Sequence, residues 1–221
     1  MRSTAVTRST LRQQIADALR DEILAGRLGP GQEFTVKEIA EQYGVSATPV
    51  REALVDLSAQ GLLDSVQHRG FKVHEFSVTD YRGMVEARSI IAEAIFRGIA
   101  ERGMDHLRDQ LSSVRRRAEE AQRAATAGDL NVLIGYDLRF WRELGALFGN
   151  PYLSDFLHRL RVQSWVFAVP YLRRVPDLEG RLWNRHSELV AAVSDGDPDT
   201  AYALVTSYNT HSLALVENLT R

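Results

Sequence analysis

The chain has 221 residues, 44% of them hydrophobic, no cysteine, and a formal net charge of −2. That length and apolar content allow one sizeable core, or a small domain joined to a larger one, and exclude a disordered chain. No disulfide framework or thiolate metal site can exist, no apolar run approaches a membrane span, and the opening MRSTAVTRSTLRQQ lacks the apolar stretch of a signal peptide, so a cytoplasmic protein with no membrane partner is expected.

Helical spacing starts with Leu11, Ile15, Leu19 and Ile23 and stops at AGRLGPGQEF, where glycines flank Pro30. A short second helix follows in TVKEIAEQYG, with Thr35 as N-cap, Glu38 completing a capping box and Gly44 past the end. Ser46 then caps a third helix, Pro49 falls in its first turn, and Val50, Ala53, Leu54 and Leu57 form its buried stripe to about Ala59. After Gly61 the period becomes two: Leu63 and Ser65, then Phe71 and Val73, around a Gln67-His68-Arg69-Gly70 turn, predict a β-hairpin. Three short helices and a hairpin make a winged helix-turn-helix over residues 1–75. From Thr79 onward the pattern is helical, at roughly 79–102, 105–126, 129–148, 151–168, 177–194 and 198–219, with breaks at Gly103, Gly128, Asn150-Pro151, Pro170 to Pro176 and Gly196-Asp197-Pro198. The fold class is therefore mainly α, with an all-α bundle over 76–221.

Bulk charge does not mark a nucleic-acid binder, because residues 1–75 hold nine Lys+Arg against ten Asp+Glu. Placement does. The second helix of a helix-turn-helix enters the major groove by its N-terminal end. Here that end carries Ser46, Ala47, Thr48 and Arg51, with Lys37 opening the preceding helix nearby. Arginine suits guanine or phosphate through its planar fork, and short hydroxyls suit phosphate. The hairpin tip adds His68 and Arg69 for phosphate or the minor groove.

The stretch ILAGRLGPGQEFTVKEIAEQYGVSATPVREALVDLSAQGLL closely resembles the DNA-binding domain of the GntR family of bacterial transcription regulators, over about residues 10–75. The resemblance implies contacts to double-stranded DNA from Lys37, Ser46, Thr48 and Arg51 and from the wing residues His68 and Gly70. Where the family commonly has arginine, this chain has Ala47, which can touch a thymine methyl but cannot read guanine. The second half resembles the FadR-like branch, through YDLRFWRELGALFGNPYL and RHSELVAAVSDGDPDTAYALV. That likeness implies an all-α domain (the FCD domain) that binds a small effector and forms the homodimer, matched to a palindromic operator.

Periodicity identifies inward-facing polar residues independently. Asp137 interrupts the stripe Leu130, Leu133, Ile134, Leu138, Trp141 and Leu144; His186 lies in Leu182, Leu189, Val190 and Val193; Tyr208 is enclosed on the last helix, with His211 a turn further; Arg88 sits between Met84 and Ile91-Ile95. Buried charges need partners, so these groups are expected to meet each other or a polar ligand such as a carboxylate. The bland alternative is an Arg88–Asp137 ion pair beside a His186–Tyr208 hydrogen bond. In many members of the branch an aspartate, a histidine four residues later and two further histidines hold a divalent metal. Here Trp141 follows Asp137 by four, and Tyr208 replaces the last histidine. Asp137 and His186 remain as an incomplete metal site, with His211 a substitute, so no certain cofactor and only a weak divalent ion is expected.

The expected function is a dimeric repressor whose operator affinity is set by an effector. Two rivals are a constitutive DNA-binding protein with a purely dimerising C-terminal domain, and an enzyme using Asp137 and His186 as acid and base, which lacks an evident nucleophile or phosphate loop. RRRAEE (Arg115 to Glu120) is read as a solvated helix face, Trp165 and Phe167 as core or dimer surface, and His74, His106 and His158 as having no evident partner.

Overall fold

The computed structural model describes residues 10–102 and 111–220. The chain divides into two compact units at Glu75–Phe76. In the first, α1 (Leu11–Leu24) is followed by β1 (Glu33–Phe34), α2 (Val36–Tyr43), α3 (Ala47–Ala59), β2 (Leu63–Val66) and β3 (Gly70–Val73). Thr35 Oγ1 accepts from the Glu38 amide at 3.1 Å, and Glu38 Oε2 accepts from the Thr35 amide at 2.6 Å, so the capping box fixes the start of α2. Gly44, at φ 64°, ends α2 in a left-handed turn open to glycine without strain. α1 packs on α3, with Ile15, Leu19 and Ile23 of α1 and Val50, Leu54 and Leu57 of α3 buried, and Val73 of the sheet is fully buried as well.

The hairpin expected from the alternating pattern is present, with Leu63 opposite Val73 and Ser65 opposite Phe71. A third strand joins it. β1 pairs antiparallel with β3, Glu33 opposite Lys72 and Phe34 opposite Phe71, giving the order β1-β3-β2. Two residues are too short for a period-two signal, and only the edge left open by β3 makes them a strand.

The second unit is helical: α4 (Val78–Arg102), α5 (Leu111–Thr126), α6 (Leu130–Leu147), α7 (Pro151–Leu172), α8 (His186–Asp195) and α9 (Pro198–Leu219). Asp129, Asn150 and Asp197 cap α6, α7 and α9, each accepting from the amide three residues on. The start expected for α5 at 105 lies outside the described residues. Two boundaries differ from expectation. α7 runs through Pro170 to Leu172, because apolar burial of Val166, Phe167, Val169 and Leu172 outweighs the one hydrogen bond that proline removes. The helix expected from 177 starts only at His186: Asp177 Oδ1 accepts from the Glu179 amide in a local turn, Gly180 adopts φ 68°, and the chain stays irregular to Arg185. Leu178, Leu182 and Trp183 are nevertheless buried, so the segment closes the core without helical form.

Within this unit α4 packs on α7 and α9, α6 on α5 and α7, and α8 on α5 and α9. Phe140, Leu144, Leu189 and Val193 lie at the centre. α4, α6, α7, α8 and α9 thereby turn one face each toward a shared interior.

Candidate DNA-reading surface and buried polar cluster

The buried stripe of α3 decides what its first turn shows to solvent. With Val50, Ala53, Leu54 and Leu57 inward, Ser46, Ala47, Thr48 and Arg51 are exposed. Ser46 occupies the N-cap position, but its hydroxyl makes no capping hydrogen bond. That leaves the hydroxyl and the first amides of α3 unspent at the positive end of the helix dipole, an arrangement suited to phosphate. Arg51 makes no ion pair among the described residues, so its guanidinium is available. Lys37, exposed on the first turn of α2, has only a loose contact with Glu41 at 3.7 Å.

The wing turn exposes His68 and Arg69. His68 adopts φ 61°, uncommon for a residue with a side chain and found mostly in tight turns. Gly70 has φ 116°, and a Cβ there would lie 2.4 Å from the carbonyl oxygen of Phe34. The glycine is what lets β3 approach the end of β1. His74 is not partnerless: its Nδ1 lies 2.9 Å from Asp64 Oδ1 on the neighbouring strand, a cross-strand pair that helical or core readings of histidine do not reveal. His106 lies outside the described residues.

In the helical unit, four of the five inward residues expected from periodicity meet. Asp137 is almost completely buried on α6 and accepts four hydrogen bonds. Oδ1 takes the indole N–H of Trp141 at 3.0 Å and Nε2 of His186 at 3.1 Å. Oδ2 takes the indole N–H of Trp165 at 2.9 Å and the hydroxyl of Tyr208 at 3.1 Å. A carboxylate offers about four lone-pair positions, so Asp137 is saturated. Burial pushes its carboxyl pKa up, but the hydrogen bond and charge of His186, with help from Arg161, win and hold it below the ordinary value of 3.8. Burial raises the Tyr208 phenol, and the adjacent Asp137 carboxylate adds to the rise, so Tyr208 stays a neutral donor.

Arg88 on α4 is 2% exposed and lies 5.8 Å from the Tyr208 ring. Its Nε and Nη2 have no partner, while the nearby Tyr81 hydroxyl donates to the Ser212 carbonyl at 3.3 Å. The expected alternative of an Arg88–Asp137 ion pair beside a separate His186–Tyr208 pair is corrected: both His186 and Tyr208 donate to Asp137, whose oxygens are thereby filled. Trp165, expected to be core or interface, is a donor in this cluster. Arg161 of α7 was not anticipated. It is 5% exposed, its guanidinium lies 3.7 Å from the Trp141 ring centroid, and burial followed by the charge of Arg88 lowers its pKa to about 10. His211, half-buried, donates through Nε2 to the Arg181 carbonyl at 2.8 Å and stands apart from Asp137.

A cavity of about 50 Å³ lies here, its polar wall formed by Arg88, Asp137, Tyr208 and His211 and its apolar wall by Leu133, Leu182 and Leu215 among others. The residues do not fit a divalent ion. Asp137 and His186 bond each other, an indole and a phenol take the other two positions, and Nε2 of His211 is spent on backbone. Among the described residues no group of three His, Asp or Glu side chains is placed to share a metal.

A winged helix-turn-helix followed by an all-α unit with a buried polar cluster is the architecture of a two-domain DNA-binding protein. Residues 6–73 match "Bacterial regulatory proteins, gntR family" and residues 83–210 match the "FCD domain". The chain is 30% identical over 207 residues, 93% of its own length and 88% of the relative's, to a protein of Paenarthrobacter nicotinovorans described as "Probable D-xylose utilization operon transcriptional repressor". It is 28% identical over 163 residues to the transcriptional regulator McbR of Escherichia coli, covering 74% of this chain and 71% of that one. The solved structure of E. coli McbR/YncC shares the fold with a TM-score of 0.81 at 22% identity, over 97% of this chain and 100% of the other. A GntR regulator from Rhodococcus sp. RHA1 does so with a TM-score of 0.69 at 21% identity, over 94% and 97%. The chain belongs to the GntR family and carries the FCD domain of its FadR-like branch. It is a transcription regulator; these are families of regulators, not of enzymes, and the acid–base reading of Asp137 and His186 falls with that. Among the described residues no helix is long and apolar enough to cross a membrane.

Proposed function

We propose that this chain is a cytoplasmic repressor that binds a palindromic operator as a homodimer and changes its grip when a small effector enters the helical domain. Thr48, Ser46 and Arg51 at the tip of α3 address the major groove, Lys37 adds a phosphate contact, and His68 and Arg69, set by Gly70, address the backbone or minor groove beside it. The printed description of the Paenarthrobacter relative as a repressor supports the sign of regulation.

The observation that carries the effector half is the cavity with Arg88, Asp137 and Tyr208 in its wall. A domain used only for dimerisation has no need to bury an arginine with two unpaired guanidinium nitrogens, each costly away from water. The test is to select DNA fragments with the purified protein, then titrate the recovered operator by fluorescence anisotropy with and without compounds that raise the protein's Tm. A compound that both stabilises the protein and shifts operator affinity at least tenfold supports the reading. Operator affinity unchanged by every stabilising compound favours the constitutive DNA-binding alternative.

A further inference from the structure

Among the described residues of the first unit, two large apolar side chains stay exposed, Leu11 at 47% and Val55 at 54%. Leu11 opens α1 and continues the stripe of Ile15, Leu19 and Ile23 one turn beyond the buried part of the helix. Val55 has no such explanation, because it stands in the middle of α3, off the stripe of Val50, Ala53, Leu54 and Leu57 that enters the core. At about 100° per residue it falls between Arg51 and Thr48 around the helix, and the three lie within about 60° of one another. A lone surface valine calls for no function. This one shares a face with the two side chains of α3 best suited to touch DNA.

The charges around Val55 allow that face to approach bases. Asp56, the next residue, would repel phosphate, but Arg12 from the first turn of α1 meets its carboxylate through Nε at 3.1 Å. The Arg12 side chain remains 48% exposed, so the far end of the face carries an ion pair in place of a bare negative charge. Glu52, exposed on the flank, can accept from a cytosine amine and is compatible with a base edge. Along the axis Val55 lies about 10 Å beyond Thr48, the rise of about three base pairs. Valine offers only hydrocarbon, and the thymine C5-methyl is the apolar group that the major-groove edge of a base pair presents. The branched side chain holds close to one χ1 rotamer in a helix, so little freedom is lost on contact.

We propose that Val55 is a specificity-determining residue, which packs on the C5-methyl of a thymine in each operator half-site, one turn of α3 beyond the base pair addressed by Arg51. α3 then lies along the major groove for two turns and does not enter it by its tip alone. A guanine–cytosine pair has no methyl group there, and valine would strip its polar edge of water without replacing a hydrogen bond. The assignment rests on the reading of α3 as the recognition helix, and it concerns a position that this reading leaves without a role.

The experiment uses the full chain and the operator recovered from random DNA by the purified protein. Uracil, which lacks the C5-methyl and keeps every hydrogen-bonding group of thymine, replaces one thymine at a time in both half-sites, and affinity is read by fluorescence anisotropy. The expected result is one thymine position at which uracil weakens the parent chain about fourfold per half-site, the factor for one methyl group withdrawn from apolar contact. Val55→Ala should weaken binding to the thymine operator to a similar extent and lose all further sensitivity to uracil at that position, and Val55→Ile should keep that sensitivity. An unchanged Tm establishes that each variant is folded. Ala47 and Thr48 also carry methyl groups, so a uracil effect that persists in full in Val55→Ala belongs to them and overturns the proposal, as does unchanged operator affinity in Val55→Ala. Weaker binding of Val55→Ala with no uracil effect in the parent chain marks a contact between two copies of the protein, and overturns it too. If Arg51→Ala abolishes specific binding while no uracil effect depends on Val55, the recognition helix stands and the role of Val55 falls. If neither substitution in α3 touches specific binding, both fall.

Discussion

Trp141 donates its indole N–H to Asp137, one turn earlier on α6, at 3.0 Å. The two side chains share a face because residues four apart lie one above the other on a helix. A coordinating imidazole at 141 would share a metal ion with the same oxygen; the indole can only donate, so Asp137 is tied into a hydrogen-bonded knot. Replacing Trp141 by histidine should therefore restore a third nitrogen or oxygen donor beside Asp137 and His186. Elemental analysis of Trp141→His after exposure to zinc should find binding at least tenfold tighter than in the parent chain, lost again in Trp141→His/His186→Ala. Equal zinc content in parent and variant would contradict this assignment.

Asp137 makes the helical unit acid-sensitive in a defined window. Its folded-state pKa lies below 3.8, so folding favours the ionised form. The resulting stability is present in full above the unfolded-state value and is lost as pH falls through the folded-state value. Thermal unfolding followed from pH 7 to pH 2.5 should show Tm falling below about pH 4. In Asp137→Asn the Tm at pH 7 should be lower and that acid-dependent part of the fall reduced. An identical pH profile in the variant would show that Asp137 is not the group responsible.

Arg161 should cost the free protein stability. Burial and the charge of Arg88 depress its pKa to about 10, which means the fold disfavours the charged form that exists at neutral pH. Arg161→Met keeps the length and the contact with Trp141 and removes the charge. It should stabilise the ligand-free chain by about 1–4 kcal/mol, the range for whole buried ionic groups replaced by apolar ones, because Arg161 hydrogen-bonds no carboxylate among the described residues that its removal would leave unpaired. Denaturant titration measures this directly, and a fall in stability would make Arg161 a structural cation held by the indole alone.

On the DNA side, Arg51→Ala should weaken specific operator binding by about 1–3 kcal/mol per half-site while leaving Tm unchanged, because Arg51 is exposed and touches no core. Gel-shift titration against operator and unrelated DNA separates loss of specificity from loss of general affinity.

The wing is tested separately through salt. Substituting His68 and Arg69 by alanine should reduce affinity, and the slope of log K against log salt should fall by about one unit per lost phosphate contact. An unchanged slope and affinity would remove the hairpin from the interface.

Much of this layout is legible in the chain. Thr35 and Glu38 announce α2 because a capping box is local, and Asp137, His186, Tyr208 and Arg88 stand out because each breaks a one-sided apolar stripe. Arg161 escapes the same test for a physical reason. α7 is buried over much of its circumference at Arg161, Val162, Ser164, Val166 and Phe167, so it has no single stripe for a charge to interrupt. The start of α8 and the bond of Trp165 to Asp137 depend on contacts between distant segments, which periodicity along one segment does not contain. β1 exists only because β3 offers it an edge.

That two-residue strand constrains how the regulator can change its target. β1 ends at Phe34, and the next residue, Thr35, caps α2; its partner is the central strand β3, which leads directly out of the wing turn. Besides the direct run from α3 into β2, wing and helix-turn-helix are thus joined by this second link, with Gly70 seated against the Phe34 carbonyl. β3 cannot shift relative to β1 without disturbing Phe34, the residue that precedes the α2 cap. On the proposed reading, operator preference changes by exchange of the exposed side chains at 47, 48, 51, 68 and 69, with the pairing of β1 and β3 left as it is.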